Sequence, residues 1–180
     1  YQDKLNQMMY EKLEEYGVNY ITNEYLLKEK SETEQVFNVK YDAGHWNDLG
    51  AFYGTNHILE EVSKYFPAVK PRDKSEFGIG TVHQDSLSVS HFAIDEDVPA
   101  FWDKNQENIE DITENYRSMK LDENYNALFC LVNHKEGAEE LPKVLVFQGS
   151  YYNERLQYMQ SAFGEYDAVH NYENFLNFDY

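Results

Sequence analysis

Lysine and arginine are scarce in this sequence: 15 of them stand against 33 aspartates and glutamates over 180 residues, a formal charge of −18. Proteins that track a phosphate backbone need clustered cations, so nucleic-acid binding is excluded as a function class. Docking onto an anionic membrane surface falls with it. Cysteine is nearly absent. The single Cys130 rules out an internal disulfide, and inside the apolar run Ala127-Leu128-Phe129-Cys130-Leu131-Val132 it reads as a buried, inert thiol. A chain without disulfides suits the cytosol, and equally the surface of a bacterium that uses few of them. No run reaches the ~18 apolar residues of a transmembrane helix. Neither a signal sequence nor an initiator Met is present, which predicts a mature form or an excised domain.

Metal-ligand patterns are missing as well. Asp95-Glu96-Asp97 lacks the spaced Asp/Asn and Gly of an EF-hand loop and reads as solvated turn acids. Nothing resembles His-Glu-x-x-His or a Cys/His pattern, so His83, Asp85 and His91 carry no ligand spacing. No metal and no cofactor are expected. What is abundant is Tyr, with 16 residues, and Phe, with 11. Tyr has an apolar body and a hydroxyl that needs a partner, which suits half-wet clefts, sugar-binding grooves included; core filling accounts for most of these rings.

The length fits one domain over residues 1–180 with one sizeable core. Leu5, Met8, Met9, Leu13 and Tyr16 fall at helical spacing over residues 3–16, and Gly17 follows as a C-terminal cap. Short strands are expected at 18–21 and 36–41, with a brief helix after Asn23. Asp48 is expected to cap a long helix ending near Phe66, before Pro67. Residues 67–85 read as loop, 87–92 as strand, 95–99 as turn and 104–118 as a polar helix with Ile109 and Ile112 inward. Strands at 125–133 and 143–147, a helix at 152–163 and a strand near Val169 complete the chain; no internal repeat is present. This alternation predicts an α/β sandwich of three layers around a mainly parallel sheet. The continuous apolar run at 143–147 predicts a central strand covered on both faces.

Two segments can carry chemistry. In Val144-Leu145-Val146-Phe147-Gln148-Gly149-Ser150-Tyr151-Tyr152-Asn153 an apolar strand ends in a Gly-Ser turn that opens a helix. Ligands of open α/β sheets gather at the carboxyl ends of strands. A serine there meets the needs of an acyl-transfer nucleophile, an exposed Oγ with N–H donors near it; an ordinary N-cap serine is the plainer alternative. The second segment, Asp42-Ala43-Gly44-His45-Trp46-Asn47, lies in the same kind of place, between a strand end and a helix start. Serine activation needs a His within reach and a carboxylate to orient it, and an Asp three residues before a His on one loop can present both. A turn-capping Asp42 and a surface His45 remain the alternative.

Together the segments resemble the SGNH (GDSL-like) esterase superfamily, and most the alginate O-acetyltransferase-type branch of bacterial surface-polysaccharide acetylation proteins. The likeness lies in residues 36–66 and 142–163, with 67–135 matching weakly. That branch places an Asp/His-Trp motif before the serine, followed by a polar residue and Gly-Ala; here stand His45-Trp46-Asn47 and Gly50-Ala51, ahead of Ser150. The resemblance implies Ser150 as nucleophile, His45 as general base, Asp42 as the residue orienting it, and Gly149 with the backbone N–H groups near Ser150 and Tyr151 at an oxyanion hole. Asn133 and Asn153 are further oxyanion candidates, Asn133 belonging rather to the Asn-His-Lys-Glu-Gly turn, and Trp46 and Tyr151 flank the site as packing or sugar-stacking rings. It also implies an acetylated glycan or small acyl ester as partner, a bacterial cell-surface or extracellular location, and further chain beyond Tyr180. Three departures stand out. Gly149 occupies the place of the usual Asp, Ala43 the place where the branch carries its Asp, and the separate Gly and Asn oxyanion residues have no counterpart. They leave open a non-catalytic module of the same fold that binds glycan or a partner protein.

Overall fold

The structure is a computed structural model and describes residues 2–88, 90–116, 128–152 and 155–170. Three α-helices come first: α1 (Gln2–Glu15), α2 (Glu24–Lys30) and α3 (Asp48–Ser63). A two-stranded hairpin follows, β1 (Phe77–Gln84) against β2 (Glu96–Asp103), antiparallel with Phe77 opposite Asp103 and Gln84 opposite Glu96. The other strands, β3 (Ile109–Asp111), β4 (Leu128–Asn133), β5 (Lys143–Gln148) and β6 (Glu165–His170), form a second sheet in the order β3-β4-β6-β5.

The α/β class is as expected, but the sheet is mixed rather than mainly parallel. Among the described strands of this sheet only β5 and β6 run parallel; β3–β4 and β4–β6 are antiparallel. The apolar run of β5 lies at the edge of the described sheet, with Phe147 exposed, and β6 takes the covered position. Its sequence Glu-Tyr-Asp-Ala-Val-His hides this, because Asp167 and His170 are buried polar residues. Cys130 on β4 is fully buried, and burial, with Asp167 beside it, pushes the thiol up to about 12.

Helix α3 ties the two sheets together. Ala51 and Phe52 face one core with Val36, Trp46, Phe77, Phe101 and Tyr158. Leu59, two turns on, faces the other with Leu131, Met159, Phe163 and Tyr166. Leu59→Ala is expected to lose about 2–5 kcal/mol of unfolding free energy, since the buried position leaves a cavity between helix and sheet. Urea denaturation checks this; a change under about 0.5 kcal/mol would show that the two cores are not coupled through α3. By contrast Leu5, Met8 and Met9 of α1, and Tyr16 just past its end, remain exposed, so the stripe that makes this helix amphipathic is not part of either core.

Several expected elements differ; the strands expected at 18–21 and 87–92 are absent among the described residues, which are turn, bend or irregular there. The helix at 152–163 is replaced by 3₁₀ turns at Ser150–Tyr152, Leu156–Tyr158 and Gln160–Ala162. Here Arg155, Tyr158 and Ser161 reach toward α3 and the hairpin, while Leu156, Met159 and Ala162 face the sheet core. That three-residue period suits a 3₁₀ helix, not an α-helix. The polar helix at 104–118 gives way to a 3₁₀ turn, β3 and a second 3₁₀ turn, because Ile109 to Asp111 pair with β4; residues 117 and 118 lie outside the described set. The expected loop at 67–85 contains all of β1, and the expected turn at 95–99 contains the start of β2. The strand at 36–41 is reduced to one bridge, Phe37 to Trp46, its later N–H groups being bound elsewhere.

Candidate active site

Strand β5 delivers Gln148 and Gly149 to the carboxyl edge of the sheet, and Ser150 follows in the first residue of a 3₁₀ turn closed by Tyr152 N–H donating to Gly149 O. Opposite it, the 42–47 loop enters α3. The motif His45-Trp46-Asn47 divides the labour among its residues. Asn47 is the N-cap of α3, its Oδ1 accepting from Gly50 N at 3.0 Å, while its Nδ2 donates to Gln35 O and to Asn38 Oδ1. Asn47, not Asp48, therefore starts the helix. Trp46 is buried and packs against α3 at its two glycines. A Cβ on Gly50 would lie 2.3 Å from Val36 O, and one on Gly54 2.4 Å from Trp46 Cζ3.

With Trp46 turned inward, its neighbour His45 faces the cleft. Asp42 Oδ1 lies 2.8 Å from His45 Nδ1, and His45 Nε2 lies 3.0 Å from Ser150 Oγ. Both ring nitrogens are thus engaged. The line Asp42–His45–Ser150 is the geometry in which an imidazole held by a carboxylate can take a hydroxyl proton. Asp42 has φ +47°, left-handed backbone uncommon for any residue but Gly, and His45 N–H donates back to its carbonyl at 3.1 Å, closing the turn that brings the two side chains together.

Two further bonds lock the loop to the serine turn. Trp46 Nε1 donates to Tyr151 O at 2.7 Å, and Tyr151 Oη donates to Gly44 O at 3.0 Å. The Tyr151 ring stands edge-on to His45, with centroids 4.9 Å apart. Trp46 is 6% exposed, so its ring is committed to packing, whereas Tyr151 keeps an open face at the cleft. Gly149 lies directly before Ser150. Asn153 lies outside the described residues. Among the described residues Ser150 is followed by 3₁₀ turns and not by the expected α-helix.

The cleft holds about 350 Å³ and its far wall is the hairpin, through Val82, Gln84, Val98, Pro99 and Ala100. Its floor carries Asp48 and Arg155, which sequence reasoning did not assign to the site. Asp48 Oδ1 sits 3.1 Å from Arg155 Nε and its Oδ2 accepts from Phe101 N at 2.7 Å, docking β2 onto the start of α3. Burial raises the Asp48 pKa, with Arg155 and the Phe101 N–H acting against the shift. Among the described lining residues both carboxylates are partnered, Asp42 by His45 and Asp48 by Arg155, so a chain of charge −18 presents a nearly neutral cleft. A cation five residues beyond the serine was the available signal for Arg155, but nothing in its spacing said that it turns back onto α3.

No family model matches the sequence, and no curated protein matches it by sequence. Solved structures do match. The structure of Bacillus cereus PatB1 superposes with a TM-score of 0.54 at 15% identity, over 84% of this chain and 56% of that one. The structure of Bacillus cereus PatB1 with a sulfonyl adduct does so at 0.51 and 14% identity, over 69% of this chain and 49% of that one. The chain therefore spans about half the length of the PatB1 chains it matches. At this identity the likeness is one of fold: the protein has an α/β fold similar to that of Bacillus cereus PatB1.

Proposed function

We propose that the chain carries out serine-dependent acyl transfer, as an esterase or O-acetyltransferase acting on an acetylated bacterial surface polysaccharide. The observation that carries this reading is the hydrogen-bonded line from Asp42 through His45 to Ser150, two residues beyond the carboxyl end of β5. Ser150 Oγ attacks the acyl carbonyl carbon while His45 Nε2 takes its proton. The carbonyl π electrons move onto oxygen, where the backbone N–H groups of Ser150 and Tyr151 serve as donors. Collapse breaks the ester C–O bond, His45 returns the proton to the leaving hydroxyl, and acyl-Ser150 remains. Water or a sugar hydroxyl then attacks the acyl carbon, with His45 again accepting the proton; collapse breaks the acyl–Oγ bond and His45 returns the proton to Ser150 Oγ. Asp42 holds the imidazole in the tautomer with hydrogen on Nδ1 and stabilises the imidazolium.

The nearly neutral cleft favours an uncharged ester, because neither carboxylate that lines it stands without a partner. The fold likeness to PatB1 fits this reading, and a bacterial cell-surface location is proposed with it. A solved PatB1 structure carries a sulfonyl adduct, so a sulfonyl fluoride is the fitting probe here. Phenylmethanesulfonyl fluoride is expected to add one sulfonyl group to the wild type and none to Ser150→Ala, and to stop hydrolysis of p-nitrophenyl acetate in step. An unlabelled wild type without ester turnover would overturn the reading in favour of a binding module of the same fold, the alternative that Gly149 and the missing helix after Ser150 favour.

A further inference from the structure

We propose that Glu96 is a positioning residue for the Asp42–His45–Ser150 line, reaching across from the hairpin to fix the backbone that carries Asp42. The inference rests on the acyl-transfer reading for its kinetic consequence, not for its geometry.

Glu96 opens β2 and turns its carboxylate onto the loop before Asp42. Oε1 accepts from Val39 N at 2.7 Å and from Gln35 Nε2 at 3.2 Å; Oε2 accepts from Lys40 N and from Tyr41 N, both at 2.8 Å. Successive backbone N–H groups converging on one side form an anion-binding concavity, and the anion that fills it is a side chain of the protein. Burial alone would raise the Glu96 pKa; the N–H groups of Tyr41, Val39 and Lys40 outweigh it and hold the carboxyl below its ordinary 4.5.

The clamp matters because of where it ends. Tyr41 is held at both of its peptide groups: its N–H by Glu96, and its carbonyl by Asn38 Nδ2 at 2.9 Å. The next residue is Asp42, in left-handed backbone that it does not favour by itself. Fixing the Tyr41 peptide on either side sets the point from which the Asp42 side chain leaves the chain, and so its 2.8 Å approach to His45. Asn38 and Asn47 brace this loop from within the 35–47 segment, whereas Glu96 comes from a strand that also walls the cleft through Val98, Pro99 and Ala100.

Glu96→Gln is the discriminating change. Both Glu96 oxygens accept, so an amide must turn its NH₂ toward either the Val39 N–H or the Lys40 and Tyr41 N–H groups. The loop is then loosened at unchanged side-chain volume. With p-nitrophenyl acetate as substrate, kcat is expected to fall about 10- to 100-fold with KM within about twofold, the scale seen when a group that orients a catalytic residue is removed. The second readout is the far-downfield proton resonance of His45 Nδ1–H, which reports the bond to Asp42 whether or not the site turns over. It is expected to broaden or move upfield in Glu96→Gln. Glu110→Gln, which removes another exposed carboxylate paired to a His, serves as the charge control and is expected to change neither readout.

A folded Glu96→Gln protein with wild-type kcat, or with reduced kcat and an unaltered His45 resonance, would overturn the proposal. If Glu96→Gln does not fold, the same two readouts on Glu96→Asp decide, because a stem one methylene shorter cannot keep all three N–H bonds. Wild-type values there overturn it equally. Failure of the acyl-transfer reading looks different: the wild type shows no turnover, yet its His45 resonance is present and still responds to Glu96.

Discussion

His45→Ala is expected to slow hydrolysis of an acetyl ester by about 10⁴-fold or more at neutral pH. A serine hydroxyl at neutral pH is a poor nucleophile, and the Nε2 atom 3.0 Å from Ser150 Oγ is the group placed to relieve it of its proton. Each tenfold in rate is about 1.36 kcal/mol of barrier, so the imidazole is being asked for about 5–6 kcal/mol. The double variant with Ser150→Ala is expected to be no slower than either single one, because the two groups act as one unit. Asp42→Asn is expected to cost less, about 10²–10⁴-fold. Its carboxylate is 40% exposed, so water takes over part of its support for the imidazolium. Initial rates with p-nitrophenyl acetate, over the background of the buffer, measure all of these. A His45→Ala protein that keeps a tenth of wild-type activity would place the hydrolysis elsewhere on the molecule.

The residues on this line were legible in the sequence because their signals are local. Asp42 and His45 are three residues apart on one loop, and Ser150 follows an apolar strand at a Gly turn. The spacing of Gly50 to the His-Trp pair has a physical basis that the sequence does not display: only a residue without Cβ lets α3 approach Val36 O and Trp46 so closely. What the sequence concealed is what distant segments do to one another. Glu96 sits between two acids that face solvent, Asp95 and Asp97, and nothing in that run marks the middle one as a backbone acceptor for a loop more than fifty residues earlier. The β1–β2 hairpin reads as loop and turn because Pro, Gly and charged residues punctuate it, Gly78 and Gly80 among them. The indole of Trp102 covers the first, where a Cβ would lie 2.0 Å from the ring. The edge place of β5 was masked by its apolar run, and the covered place of β6 by its Asp and His. In each case a tertiary contact overrode a local preference.

Asp103→Asn is expected to destabilise the protein by about 3 kcal/mol, and to do so most at neutral pH. Asp103 closes the base of the hairpin with its side chain fully buried. It accepts from Arg72 Nη2 at 3.0 Å and Nη1 at 3.3 Å, from Asn105 N at 2.8 Å, and from Ser161 Oγ. Arg72 is buried too and is fixed in turn to α3, its N–H donating to Asn56 Oδ1 at 2.7 Å and its carbonyl accepting from Asn56 Nδ2. One carboxylate thus joins hairpin, α3 and the 3₁₀ segment that returns from Ser150. The amide keeps the shape but sets an NH₂ against a guanidinium and leaves Arg72 only Glu76, at 3.0 Å, as its charge partner. Burial by itself would raise the Asp103 pKa; hydrogen bonds from Arg72, Ser161 and Asn105 outweigh it and hold it below the ordinary 3.8. Its contribution is therefore complete above that ordinary value and is lost as pH falls through the lower folded one. Unfolding free energies of the wild type and Asp103→Asn should converge as the pH is lowered through that window. Asp48 and Asp167 titrate in the opposite sense, their folded values being raised by burial, and they are common to both proteins, so the difference between the two curves isolates Asp103. A difference that stays constant from neutral pH into that acid range would mean that the loss comes from packing and not from the buried charge.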